Sequence, residues 1–220
     1  TNPTCTCTCT CTQGSGSSGG GSRVPGYTPG TTVKTDETKS LPFTDMNQTA
    51  WAKEAVQKLY QKNMISGKSK TEFAPNDLVT REEFAKLVVN VFGLSQSSAQ
   101  CSFTDVDTSA WYAPYVAYCI ENGIIKEGQF ADFGKNIIRG DMAVVFANIL
   151  PESEYKAIRE KNLPDVTDDM PCAAAVRKLA NAGIVGGDNK GHYNAANEIT
   201  RAEACVIFTR IAVASMRDGK

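Results

Sequence analysis

The sequence predicts a mainly α-helical fold, a bundle of three helix–loop–helix repeats around a pseudo-threefold axis with a groove at each seam. Two observations predict it. A stretch of similar sequence recurs every 60 residues, so that Asp45, Asp105 and Asp165 occupy equivalent positions. Within each copy, apolar residues recur at the three- and four-residue spacing of an amphipathic helix. Because one helical pair cannot bury its own apolar face, the three copies are expected to share one core.

Each repeat opens with a first helix, preceded by a polar residue that is predicted to be its N-cap. These N-caps are Thr49, Ser109 and Asp169. The helix is predicted to stop at a residue type that accepts a left-handed backbone. These stops are Asn63, Gly123 and Gly183. The tryptophans of the first two repeats, Trp51 and Trp111, are replaced in the third by Pro171.

A loop with one aromatic residue follows, and a second helix then begins with an arginine. The three starts read VTREEF (79–84), IIRGDM (137–142) and ITRAEA (199–204). The first and third contain a capping box of threonine and glutamate, whereas Ile138 replaces the threonine in the second. A cation is disfavoured beside the positive end of a helix dipole. The arginines therefore indicate a negatively charged partner, either a ligand or an acidic residue of a neighbouring repeat.

Composition divides the chain further. Residues 1–40 are rich in Thr, Cys, Gly, Ser and Pro, which predicts a disordered linker with something attached upstream. Cys5, Cys7, Cys9 and Cys11 alternate with threonine there, as expected of a low-complexity tail, a thiolate metal tract or intermolecular disulfides. The first reading is preferred because no histidine or carboxylate completes a tetrahedral site. Predicted modules span 41–94, 101–150 and 163–215, with a charged helical connector at 151–162.

The bulk numbers argue against several function classes. A formal net charge of −1 gives no electrostatic case for nucleic acid, and no apolar run approaches the roughly 18 residues of a membrane span. The only histidine is His192, which makes histidine-based metal sites and catalytic triads improbable. No phosphate-binding or dinucleotide-binding fingerprint is present. We expect no catalytic activity, no cofactor and no metal site.

The repeats resemble the surface-layer homology (SLH) module of bacterial surface proteins. The resemblance covers about residues 41–215 and is carried by FTDM…W…FAPNDLVTREEF, FTDVDTSAW…ENGII and ANAGIVGG…EITRAEA. It implies a three-pronged spindle that lies outside the cell and anchors an exported protein to the wall non-covalently. The implied ligand is a secondary cell-wall polysaccharide, typically one that carries a pyruvylated amino sugar. Two alternatives are a structural component of a surface-layer lattice and a peptidoglycan-binding tether of an outer envelope.

The resemblance also implies ligand-binding residues in each module. They are Asp45, Trp51 and Arg81 in the first module, Asp105, Trp111, Gly123 and Arg139 in the second, and Asp165, Gly183 and Arg201 in the third. Unequal grooves are expected because Pro171, Ile138 and Asn63 depart from the pattern. We expect ligand binding first at sites that use Arg81, Trp51, Trp111 and Arg201.

A pyruvyl ketal carries a carboxylate, which would explain the arginines. An arginine can bind a carboxylate with two parallel hydrogen bonds, and exposed N–H groups at a helix start also favour an anion. Internal pairing of the arginines with a neighbouring module is the competing interpretation. Trp51 and Trp111 have two alternative interpretations. They either present a flat apolar face to a sugar ring or pack into the core.

Overall fold

The computed structural model describes residues 36–92, 94 and 106–218. Most of the predicted linker, together with Asp105, Cys101 and the four tail cysteines, lies outside the described residues. The fold is mainly α-helical, as predicted. Its α-helices are α1 (Lys53–Gln61), α2 (Arg81–Val91), α3 (Ala113–Glu121), α4 (Arg139–Ile149), α5 (Ala173–Asn181) and α6 (Arg201–Ala212). Short 3-10 turns span Met46–Ala52, Glu152–Tyr155 and Ala214–Met216.

The six helices close into a ring of three modules. The first helix of each module packs against the second helix of the module before it: α3 on α2, α5 on α4, and α1 on α6. The last pairing joins the two ends of the described chain. There, the buried Thr209 hydroxyl donates to the Ala55 carbonyl oxygen at 3.2 Å.

The axis of the ring is built by the residues just before the second helices. The amide of Val79 donates to the carbonyl of Ile199, that of Ile199 to Ile137, and that of Ile137 to Val79, at 2.9–3.3 Å. Three phenylalanines, one from each second helix, meet with ring centroids 5.1–5.7 Å apart. These are Phe84, Phe146 and Phe208, all fully buried. Each module thus contributes equivalently to one shared core.

The predicted ends of the first helices are confirmed. Asn63, Gly123 and Gly183 have φ values of 55°, 68° and 72°, in the left-handed region where glycine and asparagine are favoured. The residues that follow donate their amides back to the last helical turn and are buried beneath it. They are Met64, Ile124 and Ile184.

The predicted N-caps of the first helices are wrong. The helices begin after Ala52, Tyr112 and Cys172, and none of these starts has a side-chain cap. The buried Thr49 instead lies within a kinked 3-10 turn, and its hydroxyl has no hydrogen-bond partner in the described part of the chain. Thr49 is therefore part of the turn before α1 and does not cap the helix.

The predicted helical connector at 151–162 forms only one helical turn, Glu152–Tyr155. The rest of the connector has no helical hydrogen bonds of its own; the amides of Ile158 and Arg159 donate to the Asn181 carbonyl oxygen, and the Arg159 side chain adds further contacts. Arg159 donates to the Ala180 and Val185 carbonyl oxygens at 2.9 and 2.8 Å and pairs with Asp218 at 3.3 Å. The connector and the chain's last described residues therefore brace the third module together.

Candidate functional site

The three arginines stand at equivalent positions between modules. Each is the first residue of a second helix, and each guanidinium stacks on the loop aromatic of the next module in the ring. The guanidinium carbon lies 4.8–4.9 Å from the ring centroid in all three cases. The pairs are Arg81 with Phe130, Arg139 with Tyr193, and Arg201 with Phe73. The arginines are therefore inter-module contacts as well as candidate ligand residues.

Hydrogen bonds to loop carbonyls fix each guanidinium. Arg139 donates from Nε to the Tyr193 oxygen at 2.9 Å and from Nη2 to the Gly186 oxygen at 3.3 Å. Arg201 makes the equivalent bonds to Phe73 at 3.0 Å and Ser66 at 3.1 Å. Arg81 donates from Nη1 to the Asp132 oxygen at 3.0 Å. The interpretation that the arginines pair with a neighbouring module is thus partly right, with carbonyl groups as the main acceptors.

The predicted role of the helix N-termini in anion binding is wrong. The first amide of each second helix donates to a loop carbonyl of the next module at 2.8–2.9 Å, and the second does so at 2.8–3.0 Å. In α2 and α6 the third amide donates to the capping threonine. Because these amides are already bonded, a ligand would have to bind through side chains.

The three arginines differ in their acidic neighbours. Arg81 Nη2 lies 3.9 Å from Asp141, and Arg139 Nη1 lies 3.5 Å from Glu203. Arg201 has no ion pair, and its Nη1 makes no hydrogen bond, within residues 36–92, 94 and 106–218. Among the three arginines of this motif, Arg201 is therefore the one whose guanidinium forms no ion pair with the described residues.

Asp45 and Asp165 close the loops of their own modules. Asp45 accepts hydrogen bonds from the amides of Phe73 and Ala74 at 2.7–3.1 Å, and Asp165 from those of Tyr193 and Asn194 at 2.6–2.7 Å. Desolvation is the largest single influence on the pKa of each carboxyl and raises it. The backbone hydrogen bonds, together with the nearby charge of Arg201 at Asp45 and of His192 at Asp165, outweigh desolvation, so that both pKa values lie below the ordinary value.

Both tryptophans are exposed, so the core-packing interpretation is wrong for them. Trp51 is 61% and Trp111 is 52% exposed, the most exposed large apolar side chains described. The two glycines implied as ligand residues differ. A side chain at Gly123 would meet no described atom within 4 Å, whereas one at Gly183 would lie 2.6 Å from the Asp218 carbonyl oxygen. The chain's own C-terminal segment thus covers Gly183.

One cleft brings several predicted residues together, and we call it the Arg201 groove. It has a volume of about 260 Å³, and its lining includes Gly67, Lys68, Phe73, Lys86, Trp111 and Arg201. All three modules contribute to it. Lys86 Nζ lies 5.4 Å from the centre of the Trp111 ring, and Lys68 pairs with Asp77 at 2.6 Å. The cleft therefore combines an exposed aromatic face with three cations and one carboxylate, that of Glu83.

Lys68, Lys86 and Gly67 were not predicted from the sequence. Lys86 is an exposed lysine on a helix, which is an ordinary feature, and its local sequence does not show that it faces Trp111 of another module. Gly67 gives a signal only in the structure, where a side chain would lie 2.5 Å from both Phe43 and the Glu72 oxygen. Within the described residues, no cluster of His, Cys, Asp or Glu could hold a metal ion, and no helix could cross a bilayer.

Comparison with known proteins gives a clear match. Residues 42–85, 102–130 and 162–205 match the model of the S-layer homology domain. The chain is 27% identical to an endoglucanase of Bacillus sp. over 84% of its length, and 28% identical to the surface-layer 125 kDa protein of Lysinibacillus sphaericus over 76%. It is 29% identical over 76% to an S-layer protein of Bacillus thuringiensis subsp. finitimus. The matched region makes up only 20%, 14% and 21% of these relatives.

Proposed function

The chain belongs to the S-layer homology domain family, and from this premise we propose that it binds an anionic secondary cell-wall polysaccharide in the Arg201 groove. Family membership and the surface-layer relatives make it a cell-surface protein with a cell-wall anchoring module. The proposed ligand unit is an amino sugar with a pyruvyl ketal. The observation that carries the proposal is the uncommitted Nη1 of Arg201 in a cationic cleft with an exposed tryptophan.

Arg201 supports recognition of a carboxylate. Its Nε and Nη2 are held by the Phe73 and Ser66 carbonyl oxygens, so the planar guanidinium is fixed before a ligand arrives. Its Nη1 keeps both N–H donors for a ligand. A fixed guanidinium loses little conformational entropy on binding, and charge-assisted hydrogen bonds to a carboxylate are about twice as strong as neutral ones.

Trp111 and Lys86 support recognition of the sugar ring. Trp111 presents an apolar face that is 52% exposed, and its edge packs against Tyr112 and Tyr115 with centroid separations of 5.8 and 6.4 Å. A sugar ring has apolar C–H faces that can cover such an aromatic surface. Lys86 lies over the same ring system and adds positive charge beside it.

We also propose that a separate functional region is joined to these modules through residues 1–40. The relatives support this, because an endoglucanase and two surface-layer proteins each contain a similar region as a minor part of a longer chain. The Gly/Ser/Pro-rich composition of the segment suits a tether between two folded parts. The modules would then supply attachment, and the joined region any other activity.

The test is cosedimentation of the 220-residue chain with purified cell-wall sacculi, before and after mild acid removal of pyruvyl ketals. We expect binding to intact sacculi and its loss after treatment. Trp111→Ala should weaken binding about tenfold, which corresponds to roughly 1.4 kcal/mol. Trp51→Ala is the matched control, because Trp51 has the equivalent sequence position and similar exposure but is not among the residues that line the Arg201 groove.

The outcomes are distinct. Binding that survives ketal removal would point to peptidoglycan or a neutral sugar and would overturn the role of Arg201. Equal losses for Trp111→Ala and Trp51→Ala would overturn the assignment to one groove. Absence of binding to untreated sacculi would favour lattice assembly through protein contacts.

A further inference from the structure

At the seam around Arg81, which we call the Arg81 seam, Asp141 forms an ion pair with the arginine. The equivalent Glu83 lines the Arg201 groove but makes no ion pair with Arg201 within the described residues. We propose that Asp141 closes the Arg81 seam to an anionic sugar by occupying the place of the ligand carboxylate. The Arg81 seam comprises Arg81, Phe130, Asp132 and Asp141. The inference rests on the proposed function, since it assumes that an arginine of this motif receives the ligand carboxylate.

Asp141 is available for this role because its own helix does not use it. In α2 and α6 the equivalent glutamates accept hydrogen bonds from the amides of Thr80 and Thr200 as part of capping boxes. In α4 the N-cap is Ile138, which makes no side-chain cap. The shorter Asp141 carboxylate accepts no hydrogen bond from the described residues, and its ion-pair partner is Arg81 at 3.9 Å.

Asp141 also lies beside the most available part of Arg81. Nη1 donates to the Asp132 carbonyl oxygen, and Nε is enclosed without a partner. Nη2 therefore remains for an incoming carboxylate, and Asp141 faces that nitrogen. The side chains of Arg81 and Asp141 are only 18% and 33% exposed, so solvent screens the pair less than it would an open surface pair.

A ligand carboxylate bound to Nη2 would sit close to Asp141. Two carboxylates at such a distance repel each other, and desolvation increases the repulsion. Desolvation already raises the pKa of Asp141, with Arg81 opposing the rise. In the Arg201 groove the equivalent Glu83 accepts a hydrogen bond from the Thr80 amide and makes no ion pair with Arg201 within the described residues, so the wild-type chain is expected to bind the anionic sugar at one site.

The experiment is isothermal titration of the full chain with the methyl glycoside of a pyruvylated N-acetylhexosamine. We expect a stoichiometry of one for the wild type and two for Asp141→Asn. The second site should be about tenfold weaker than the first, because Pro171 stands beside Asp141 in this part of the ring instead of a tryptophan. Asp132→Asn is the matched control. It removes an acidic side chain from the same seam but keeps the backbone oxygen that Arg81 uses.

A second variant makes the site assignment independent of stoichiometry. In Trp111→Ala the first site is weakened, and adding Asp141→Asn should roughly double the apparent association constant for the ketal sugar but not for the same sugar without its ketal. If Asp141→Asn folds poorly, Asp141→Ser provides the same loss of charge at the N3 position. The melting temperature of each variant shows whether it is folded, and only folded variants are compared for sugar binding.

The two failures are distinguishable. A wild type that does not bind the probe refutes the proposed function. A wild type that binds one equivalent, with Asp141→Asn also binding one, refutes the role of Asp141 alone. Two sites in the wild type, or the same gain in Asp132→Asn, would refute it as well, since the seam would then be open or sensitive only to overall charge.

Discussion

The arginines predict a measurable difference in stability between equivalent positions. Arg139→Ala removes two hydrogen bonds to loop carbonyls, a stacked aromatic contact and an ion pair with Glu203. Arg201→Ala removes two equivalent hydrogen bonds and a stacked contact, but no ion pair with a residue that the structure describes. The substitutions differ chiefly in that pair, so each serves as a reference for the other.

The magnitude follows from these contacts. A hydrogen bond to a charged group contributes about 1.5–3 kcal/mol, but here water can re-solvate the freed carbonyls of an open groove, so we expect about 2 kcal/mol for Arg201→Ala. The partly exposed ion pair adds at most about 1 kcal/mol, which gives about 3 kcal/mol for Arg139→Ala. At about 2–4 °C per kcal/mol for a domain of this size, the melting temperatures fall by about 4–8 and 6–12 °C.

Thermal unfolding followed by circular dichroism at the helical band measures both variants, and urea titration gives the free energies. The two unfolding slopes should match that of the wild type, which shows that the comparison concerns stability alone. If both variants melted within about 1 °C of the wild type, the inter-module contacts would contribute nothing and the reasoning would be refuted. A larger loss for Arg201→Ala than for Arg139→Ala would refute the role assigned to Glu203.

Two further predictions concern the loop of the first module. Asp45→Asn should destabilise the protein above about pH 4 and progressively less as the pH falls. The reason is that the lowered pKa of Asp45 contributes stability that is present above its unfolded pKa and lost on protonation of the folded state. Urea unfolding at several pH values measures this, and a pH-independent difference would contradict it. Gly67→Ala should cost about 1–3 kcal/mol, because the new methyl group would lie 2.5 Å from Phe43 and the Glu72 oxygen. Gly134→Ala is its control, since only the movable Asp132 side chain lies near, at 3.3 Å, and equal losses for the two would contradict the steric argument.

Features set by local backbone chemistry could be predicted from the sequence. The left-handed residues Asn63, Gly123 and Gly183, the capping boxes at Thr80 and Thr200, and the six helices all depend on neighbours within a few positions. The repeat then predicted the shared core, because equivalent apolar faces must meet. The first-helix N-caps failed even though they are local, because an extra 3-10 turn or bend separates the polar residue from the helix start.

Features set by contacts between modules could not be predicted. No property of the stretch around Arg81 shows that its acidic partner lies 60 residues away in Asp141, or that Arg201 makes no ion pair with the described residues. The carbonyl groups that occupy the helix N-termini come from loops of other modules, so the predicted anion site at those termini was wrong. Exposure of Trp51 and Trp111 is likewise decided by packing, since tryptophan at helical spacing fits a core equally well.

Closure of the ring has a kinetic consequence. The hydrogen bond from Thr209 to Ala55 joins residues 154 positions apart, and the axis bonds join Val79 to Ile199. Such distant contacts must form against the entropy of the long intervening chain, which slows folding. Although this protein is made of short helices, we therefore expect its folding rate to be as slow as that of β-sandwiches. During synthesis and export, α1 cannot pack against its partner helix until residues 201–212 have emerged.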